Sequence, residues 1–202
     1  NDASSDCVDC GAGKYSSSAG ASLLAECQDC VAGKYLTGTG SAASSDCVDC
    51  EAGKYSTVPG ATASASCQDC AAGKYLATTG NDAESDCVQC GPGTFSPAVR
   101  ATASDTCQNC VAGKYLETAG NDEERDCVEC AQGKFSTAVG AANAATCVNC
   151  AAGKYLATAG NDAASDCVPC VAGTFATAEG ATEPGICQLC VAGKYSTTEG
   201  SS

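Results

Sequence analysis

The segment CVAGKYLTGTGSAASSDCVDC, residues 30–50, contains the signals that decide the fold of this chain. It runs from the second cysteine of one C-x2-C pair to the second cysteine of the next. Between them it carries a Gly-Lys-Tyr triplet and a further glycine, Gly40. Glycine at two fixed places indicates two turns, in which φ is positive or the backbone approaches another segment closely. The residues around Tyr35 are too few for a helix, so we expect a strand of two or three residues there.

The same pattern recurs in ten units, one every twenty residues, without insertion or deletion. The C-x2-C pairs run from Cys7 to Cys190, and only Arg100 replaces the glycine that follows the aromatic residue. A fixed short period indicates a repeat array in which each unit contacts only its neighbours. We predict one continuous array over residues 1–202, a window of a longer array. The predicted fold is an elongated solenoid-like rod of small disulfide-rich β-ribbons and irregular turns, with almost no helix.

Each unit has one aromatic residue, which we expect to cover a neighbouring disulfide and to form most of the core of its unit. Thr94 and Thr174 replace the preceding lysine, so the ring is the constant feature and the cation is dispensable. The aromatic residues are Tyr15, Tyr35, Tyr55, Tyr75, Phe95, Tyr115, Phe135, Tyr155, Phe175 and Tyr195.

A second period of forty residues lies over the first. Aspartate precedes the first cysteine of alternate units, and leucine follows the aromatic residue only in the intervening units. Alternate units therefore have different surroundings, and five modules of forty residues describe the array as well as ten units of twenty. The aspartates are Asp6, Asp46, Asp86, Asp126 and Asp166, and the leucines are Leu36, Leu76, Leu116 and Leu156.

The composition excludes a conventional hydrophobic core. The chain has 20 cysteines among 202 residues, no Trp, Met or His, and only 7 Tyr and 3 Phe. Cross-links or metal ions must therefore hold it together. The 24 acidic and 10 basic residues give a net charge of −14, which argues against nucleic acids and anionic membranes as partners. No apolar run of about 18 residues is present, so we expect no membrane insertion in this segment.

The cysteine spacing is compatible with four-cysteine zinc sites and with disulfides. Unbroken repetition, the lack of His and the small acidic composition favour disulfides, as in secreted proteins. In one pairing scheme the second cysteine of each unit pairs with the first cysteine of the next unit and closes an eighteen-residue loop. Each such bridge would add about 3 kcal/mol to the free energy of unfolding. In the other, Cys7 pairs with Cys27 and Cys10 with Cys30, and so on through every forty-residue module.

We favour the first scheme, because a loop closed over an aromatic residue is a familiar small module. It leaves Cys7 and Cys190 to pair outside the segment. Its bridges are Cys10–Cys27, Cys30–Cys47, Cys50–Cys67, Cys70–Cys87, Cys90–Cys107, Cys110–Cys127, Cys130–Cys147, Cys150–Cys167 and Cys170–Cys187.

The run Cys30-Val31-Ala32-Gly33-Lys34-Tyr35, followed by a turn glycine and the next cysteine, resembles the ephrin-receptor-like cysteine-rich repeats. It is similar more distantly to the first loop of tumour necrosis factor receptor modules. The likeness covers the whole chain and is nearest to long arrays in extracellular proteins of protists and algae, including mastigoneme and ciliate surface-antigen proteins. It implies an extracellular, disulfide-bonded, elongated protein. Family copies often have Pro after the second cysteine, where this chain has Gly, Val, Glu or Ala.

Acidic clusters before alternate cysteines are compatible with calcium ligands, and equally with Asx turns in a solvated surface. They are Asp82, Glu84 and Asp86; Asp122, Glu123, Glu124 and Asp126; and Asp162 and Asp166. We expect no other cofactor. Serine and threonine near the turns are candidates for O-linked glycans and equally for plain turn residues, whereas no N-glycosylation sequon occurs.

A catalytic site needs a unique set of groups, and a uniform repeat offers none, so we expect no enzyme activity. Constant spacing favours an extracellular structural protein that forms a cell-surface fibre or flagellar hair shaft with copies of itself or other filament subunits. The alternative is a receptor or adhesin ectodomain, in which the array is a stalk or a ligand-binding surface.

Overall fold

The structure is a computed structural model and describes residues 7–202, so Asp6 lies outside the described residues. The chain divides into two compact blocks. The first contains the residues up to Gln89 together with Pro97–Thr106, and the second contains Cys90–Ser96 together with Cys107–Ser202.

Nine disulfides join the second cysteine of one unit to the first cysteine of the next, all with a sequence separation of 17. This is the adjacent-loop pairing and not the interlocked one. Loop 1 runs from Cys10 to Cys27, and each further loop starts twenty residues later, ending with loop 9 from Cys170 to Cys187. Within the described residues, Cys7 and Cys190 are free thiols.

Each loop contributes the first strand of a two-residue antiparallel hairpin, and the second strand directly follows the bridge. The first strands are β1 (Lys14–Tyr15), β3 (Lys34–Tyr35), β5 (Lys54–Tyr55), β7 (Lys74–Tyr75), β9 (Thr94–Phe95), β11 (Lys114–Tyr115), β13 (Lys134–Phe135), β15 (Lys154–Tyr155) and β17 (Thr174–Phe175). Their partners are β2 (Gln28–Asp29), β4 (Val48–Asp49), β6 (Gln68–Asp69), β8 (Val88–Gln89), β10 (Gln108–Asn109), β12 (Val128–Glu129), β14 (Val148–Asn149), β16 (Val168–Pro169) and β18 (Gln188–Leu189).

A three-residue 3-10 helix ends each loop just before its closing cysteine, and residues 7–202 contain no α-helix. In loop 2 a carboxylate oxygen of Asp46 accepts the backbone N–H of Ala43 at 3.1 Å, which satisfies a donor that the helix start leaves free. The 3-10 helices are Leu24–Glu26, Ser44–Asp46, Ser64–Ser66, Glu84–Asp86, Ser104–Thr106, Glu124–Asp126, Ala144–Thr146, Ala164–Asp166 and Pro184–Ile186.

Backbone hydrogen bonds connect each loop to the next. The N–H of Gly33 in loop 2 donates to the carbonyl of Ser56 in loop 3 at 2.7 Å. The N–H of Gly60 donates back to the carbonyl of Cys30 at 2.8 Å. The same donor and acceptor positions recur along the chain, so the polar backbone groups of one loop are satisfied by its neighbours.

Contacts also reach the next but one loop, which corrects our expectation of contacts between neighbours only. A β-carbon on Gly33 of loop 2 would lie 2.3 Å from the carbonyl oxygen of Gly80 in loop 4. Gly113 of loop 6 and Gly160 of loop 8 show the same 2.3 Å approach. Within each block, loops of the same parity therefore lie against each other, and the forty-residue period of the sequence is the spacing of these stacked loops.

Cysteines and leucines make up most of the buried apolar core. The cysteine that opens each loop from loop 2 onward is 0–1% exposed, and the four leucines after even-loop aromatic rings are 3–7% exposed. The ring of Tyr55 packs against Leu76 and the Cys70–Cys87 bridge of the next loop. The rings of Tyr15, Tyr55, Phe95 and Phe135 thus pack on the next disulfide along the chain.

The expected core of ten aromatic rings needs one correction. Tyr55 and Phe95 are buried and most of the others are half-buried, but Tyr195 is 86% exposed. Lys194–Tyr195 has no hairpin partner within the described residues.

Candidate functional site

The hairpins present two kinds of surface, which alternate from loop to loop. In every hairpin the aromatic residue pairs with the residue that follows the closing cysteine. In loops 2, 4, 6 and 8 this partner is valine, whereas in loops 1, 3, 5 and 9 it is glutamine. Loop 7 departs from the rule, because Phe135 pairs with Val148.

We call the tyrosine, its valine partner and the residue after the opening cysteine of an even loop an apolar patch. The patches comprise Val31, Tyr35 and Val48 in loop 2; Ala71, Tyr75 and Val88 in loop 4; Val111, Tyr115 and Val128 in loop 6; and Ala151, Tyr155 and Val168 in loop 8. The four valines that pair with tyrosine keep 43–49% of their surface exposed, so neither the hairpin nor the core covers them.

The corresponding surface of loops 1 and 3 is polar. The hydroxyl of Tyr15 donates to Oε1 of Gln28 at 3.1 Å, and the hydroxyl of Tyr55 donates to Oε1 of Gln68 at the same distance. Glutamine therefore satisfies the ring hydroxyl on the hairpin itself. In the first block, the stacked loops 2 and 4 thus carry an apolar hairpin surface and the stacked loops 1 and 3 a polar one.

In five hairpins the lysine is partly buried along its stem and pairs with a nearby acid. Lys34 lies 2.7 Å from Asp49, directly across the hairpin of loop 2, and Lys114 lies 3.7 Å from Glu129 in loop 6. Lys74, which faces Gln89, reaches Glu84 at 3.1 Å instead. These hairpins are nearly neutral, although the chain carries a net charge of −14.

The regular pattern is interrupted at Arg100, which occupies a turn position that is glycine in the other nine units. Its φ of 60° is the only positive value at a non-glycine residue within the described chain. The guanidinium forms an ion pair with Glu51, the one charged residue at its own repeat position. Beside this pair lies a cleft of about 370 Å³, lined also by Tyr35, Lys54 and Ser64.

The acidic clusters have a structural role in the described residues. Oδ2 of Asp86 and of Asp166 each accept the backbone N–H three residues earlier at 3.0 Å, as Asp46 does. Across residues 7–202, no three His, Cys, Asp or Glu side chains are close enough to hold a metal ion. Calcium binding at these clusters stays a prediction.

Two features of the site escaped the sequence analysis, although the sequence contains a signal for each. The alternation of valine and glutamine after the first cysteine follows the same forty-residue period as the leucines. Serine after the ring is buried at Ser56, Ser96 and Ser136, where the even loops have leucine. Both alternations reflect the stacking of loops of like parity.

A scan against models of protein families finds no match to this chain, and a search of the curated proteins finds none either. The class that the structure itself defines is a disulfide-bonded tandem repeat of about twenty residues per unit. Nine disulfides are typical of proteins that fold in an oxidising compartment. Among residues 7–202, no helix is long and apolar enough to cross a bilayer.

Proposed function

We propose that this chain is part of an extracellular structural protein that forms a rod or filament by stacking disulfide-closed repeats. The observation that carries the proposal is the constant geometry of the loops. All nine bridges span 17 residues, and their Cα–Cα distances are 5.6–5.8 Å. A fold that repeats one set of contacts can extend to any length, because each added loop satisfies the backbone groups of the last.

The disulfides support the extracellular location, since such bridges persist in oxidising surroundings and are rare in the cytosol. The proposed partners are other copies of the chain or other filament subunits, and O-linked glycans on exposed serines and threonines are compatible with this role. The likeness to ephrin-receptor-like repeats, including those of mastigoneme proteins, suggests a cell-surface fibre or flagellar hair shaft. The uniform repeat supports a role without catalysis.

Electron microscopy of native material in negative stain tests this function. We expect long, thin particles of constant width. Isolated short particles that carry a ligand at one tip would contradict the filament. Small-angle X-ray scattering of the isolated chain provides an independent test, because an elongated array gives a radius of gyration well above the roughly 17 Å of a globular protein of this length.

The alternative function is a receptor or adhesin ectodomain, and one observation favours it. The Glu51–Arg100 pair and its adjacent cleft make one place in the first block unlike the other repeats. A ligand-binding array needs such a local difference. If this alternative holds, replacing Glu51 and Arg100 together by the residues usual at their positions, E51A/R100G, would abolish ligand binding, whereas filament formation would not depend on the pair.

A further inference from the structure

We propose that the apolar patches of loops 2, 4, 6 and 8 bind a second copy of this chain side by side. This inference rests on the proposed function, because it names the surface through which the rods would associate. Each patch combines a half-buried tyrosine with a valine that is 43–49% exposed, and in loops 2 and 6 a second exposed valine follows the opening cysteine. The inference thus concerns the even hairpins and predicts that the glutamine-bearing hairpins of loops 1, 3, 5 and 9 stay in solvent.

Packing within the hairpin does not explain these valines. Val48 pairs with Tyr35 in loop 2, but Gln68 pairs with Tyr55 at the same position of loop 3, where its side chain accepts the ring hydroxyl. The backbone register of the two hairpins is the same. Since the hairpin forms with either residue, valine at half exposure in each even loop leaves apolar surface in water without a gain inside the loop.

The spacing of the patches identifies the partner. The approach of Gly33 to Gly80 fixes loop 2 against loop 4, and that of Gly113 to Gly160 fixes loop 6 against loop 8. A partner that covers two such patches at once needs contact points at the same interval. A second copy of this chain has its own patches at that same interval. In a dimer with a two-fold axis, both chains contribute the same surface to the interface.

The charge distribution permits this approach of two acidic chains. Lys34 with Asp49 and Lys114 with Glu129 neutralise the hairpins that carry patches 2 and 6. Lys154 faces Pro169 in loop 8, so that hairpin adds a cation and no acid. Two copies that meet through these hairpins avoid most of the repulsion expected from a net charge of −14 per chain.

Association should be weak at one patch and stronger over several. Each patch buries little area, but binding at one patch raises the effective concentration of the others. Substitutions at several patches should therefore weaken the dimer by much more than one substitution.

The test compares two triple variants of the full chain by sedimentation velocity over a range of concentrations. V88Q/V128Q/V168Q gives three even hairpins the residue of the odd hairpins, so it should fold. V58Q/V99Q/V139Q makes the same change at three valines outside the patches that are at least as exposed, at 48–64%. Circular dichroism and tyrosine fluorescence check that both variants fold.

We expect the parent chain to associate reversibly, the patch variant to have a dissociation constant raised by at least about tenfold, and the control to match the parent. An equal effect of both variants, or no effect of the patch variant on a parent that associates, would overturn the inference. A parent that stays monomeric would also overturn it. If that monomer is elongated by scattering, the structural function stands without lateral pairing, whereas a compact monomer contradicts the proposed function itself.

Discussion

Leucine and serine alternate at the position after the aromatic ring, and both are buried. Leu76 is 4% exposed and Ser56 is 0% exposed. The serine is tolerated because its Oγ accepts the N–H of Val58 at 3.4 Å. Tyr15, Tyr55, Phe95 and Phe135, on the odd loops, pack on the leucine of the next loop. At the scale of the residue, the core is therefore a chain of ring, leucine and disulfide contacts, each between two loops.

We expect Leu76→Ala to lower the free energy of unfolding by about 2–5 kcal/mol, because it opens a cavity between the Tyr55 ring and the Cys70–Cys87 bridge. Urea denaturation of the oxidised chain, followed by tyrosine fluorescence, measures the loss. Leu24→Ala is the matched control, since Leu24 is 77% exposed and should change stability by less than about 0.5 kcal/mol. Equal losses in the two variants would show that the leucine layer is not a core.

Position 33 requires glycine for two reasons, its backbone conformation and its close approach to another loop. Its φ is +83°, and a β-carbon there would overlap the Gly80 carbonyl. We expect Gly33→Ala to destabilise the first block by about 2–4 kcal/mol, the sum of left-handed strain and overpacking.

Gly38→Ala is the control for this prediction. It lies in the same loop, has no positive φ, and has open space where the methyl group would lie. Thermal unfolding followed by circular dichroism compares the two variants. A melting temperature for Gly33→Ala equal to that of Gly38→Ala would contradict the close contact between loops 2 and 4.

At the scale of the element, the unit of structure is one disulfide-closed loop with the hairpin that straddles its bridge. Two paired residues per strand are too few for a stable hairpin alone. The disulfide stabilises the hairpin, because it reduces the conformational entropy of the unfolded chain and holds the two strands next to each other. Neighbouring loops then satisfy the remaining backbone groups.

Replacing both cysteines of one bridge, C110S/C127S, should cost about 3 kcal/mol and should act locally. Hydrogen exchange followed by mass spectrometry should show faster exchange in loop 6 and in the strands β11 and β12. Loop 9 should exchange as before, since it makes no contact with loop 6 through the repeated bonds. Cys7→Ser, at a free and exposed thiol, is the control and should leave all rates unchanged. Loss of protection over the whole chain would show that the loops do not unfold separately.

At the scale of the whole molecule, the cysteine pairing decides how many thiols are left over. The adjacent-loop pairing leaves two free thiols, at Cys7 and Cys190. The interlocked pairing would leave none, and a zinc array would leave all twenty cysteines unbridged.

Intact mass after maleimide labelling in denaturant, without reductant, should therefore show two labels on this 202-residue chain. A chelator added before labelling should not change that count, because disulfides need no metal. Zero labels would support interlocked pairs, and a count that rises toward twenty with chelator would support metal binding. Peptide mapping of the oxidised chain then assigns the bridges.

The sequence by itself determined the repeat, the loop length and the turns. Cysteine, glycine and aromatic residues recur at fixed intervals, and each acts within one loop or between sequence neighbours. The two-residue strands at Lys34–Tyr35 and its equivalents follow from this local chemistry. The cysteine spacing limited the bridges to two schemes, but it could not choose between them because both are periodic.

Only the tertiary structure decided which loops lie against each other. Gly33 and Gly80 meet across 47 residues, and no local preference encodes that contact. This stacking of alternate loops accounts for the forty-residue period, buries leucine and serine in turn, and places the valines of the even hairpins on one surface within each block. The same contact explains why Arg100 can reach Glu51, because a side chain at the turn position points across to the next but one loop. Periodicity in sequence shows that positions are equivalent, whereas the packing of alternate loops against each other determines which equivalent positions share a face.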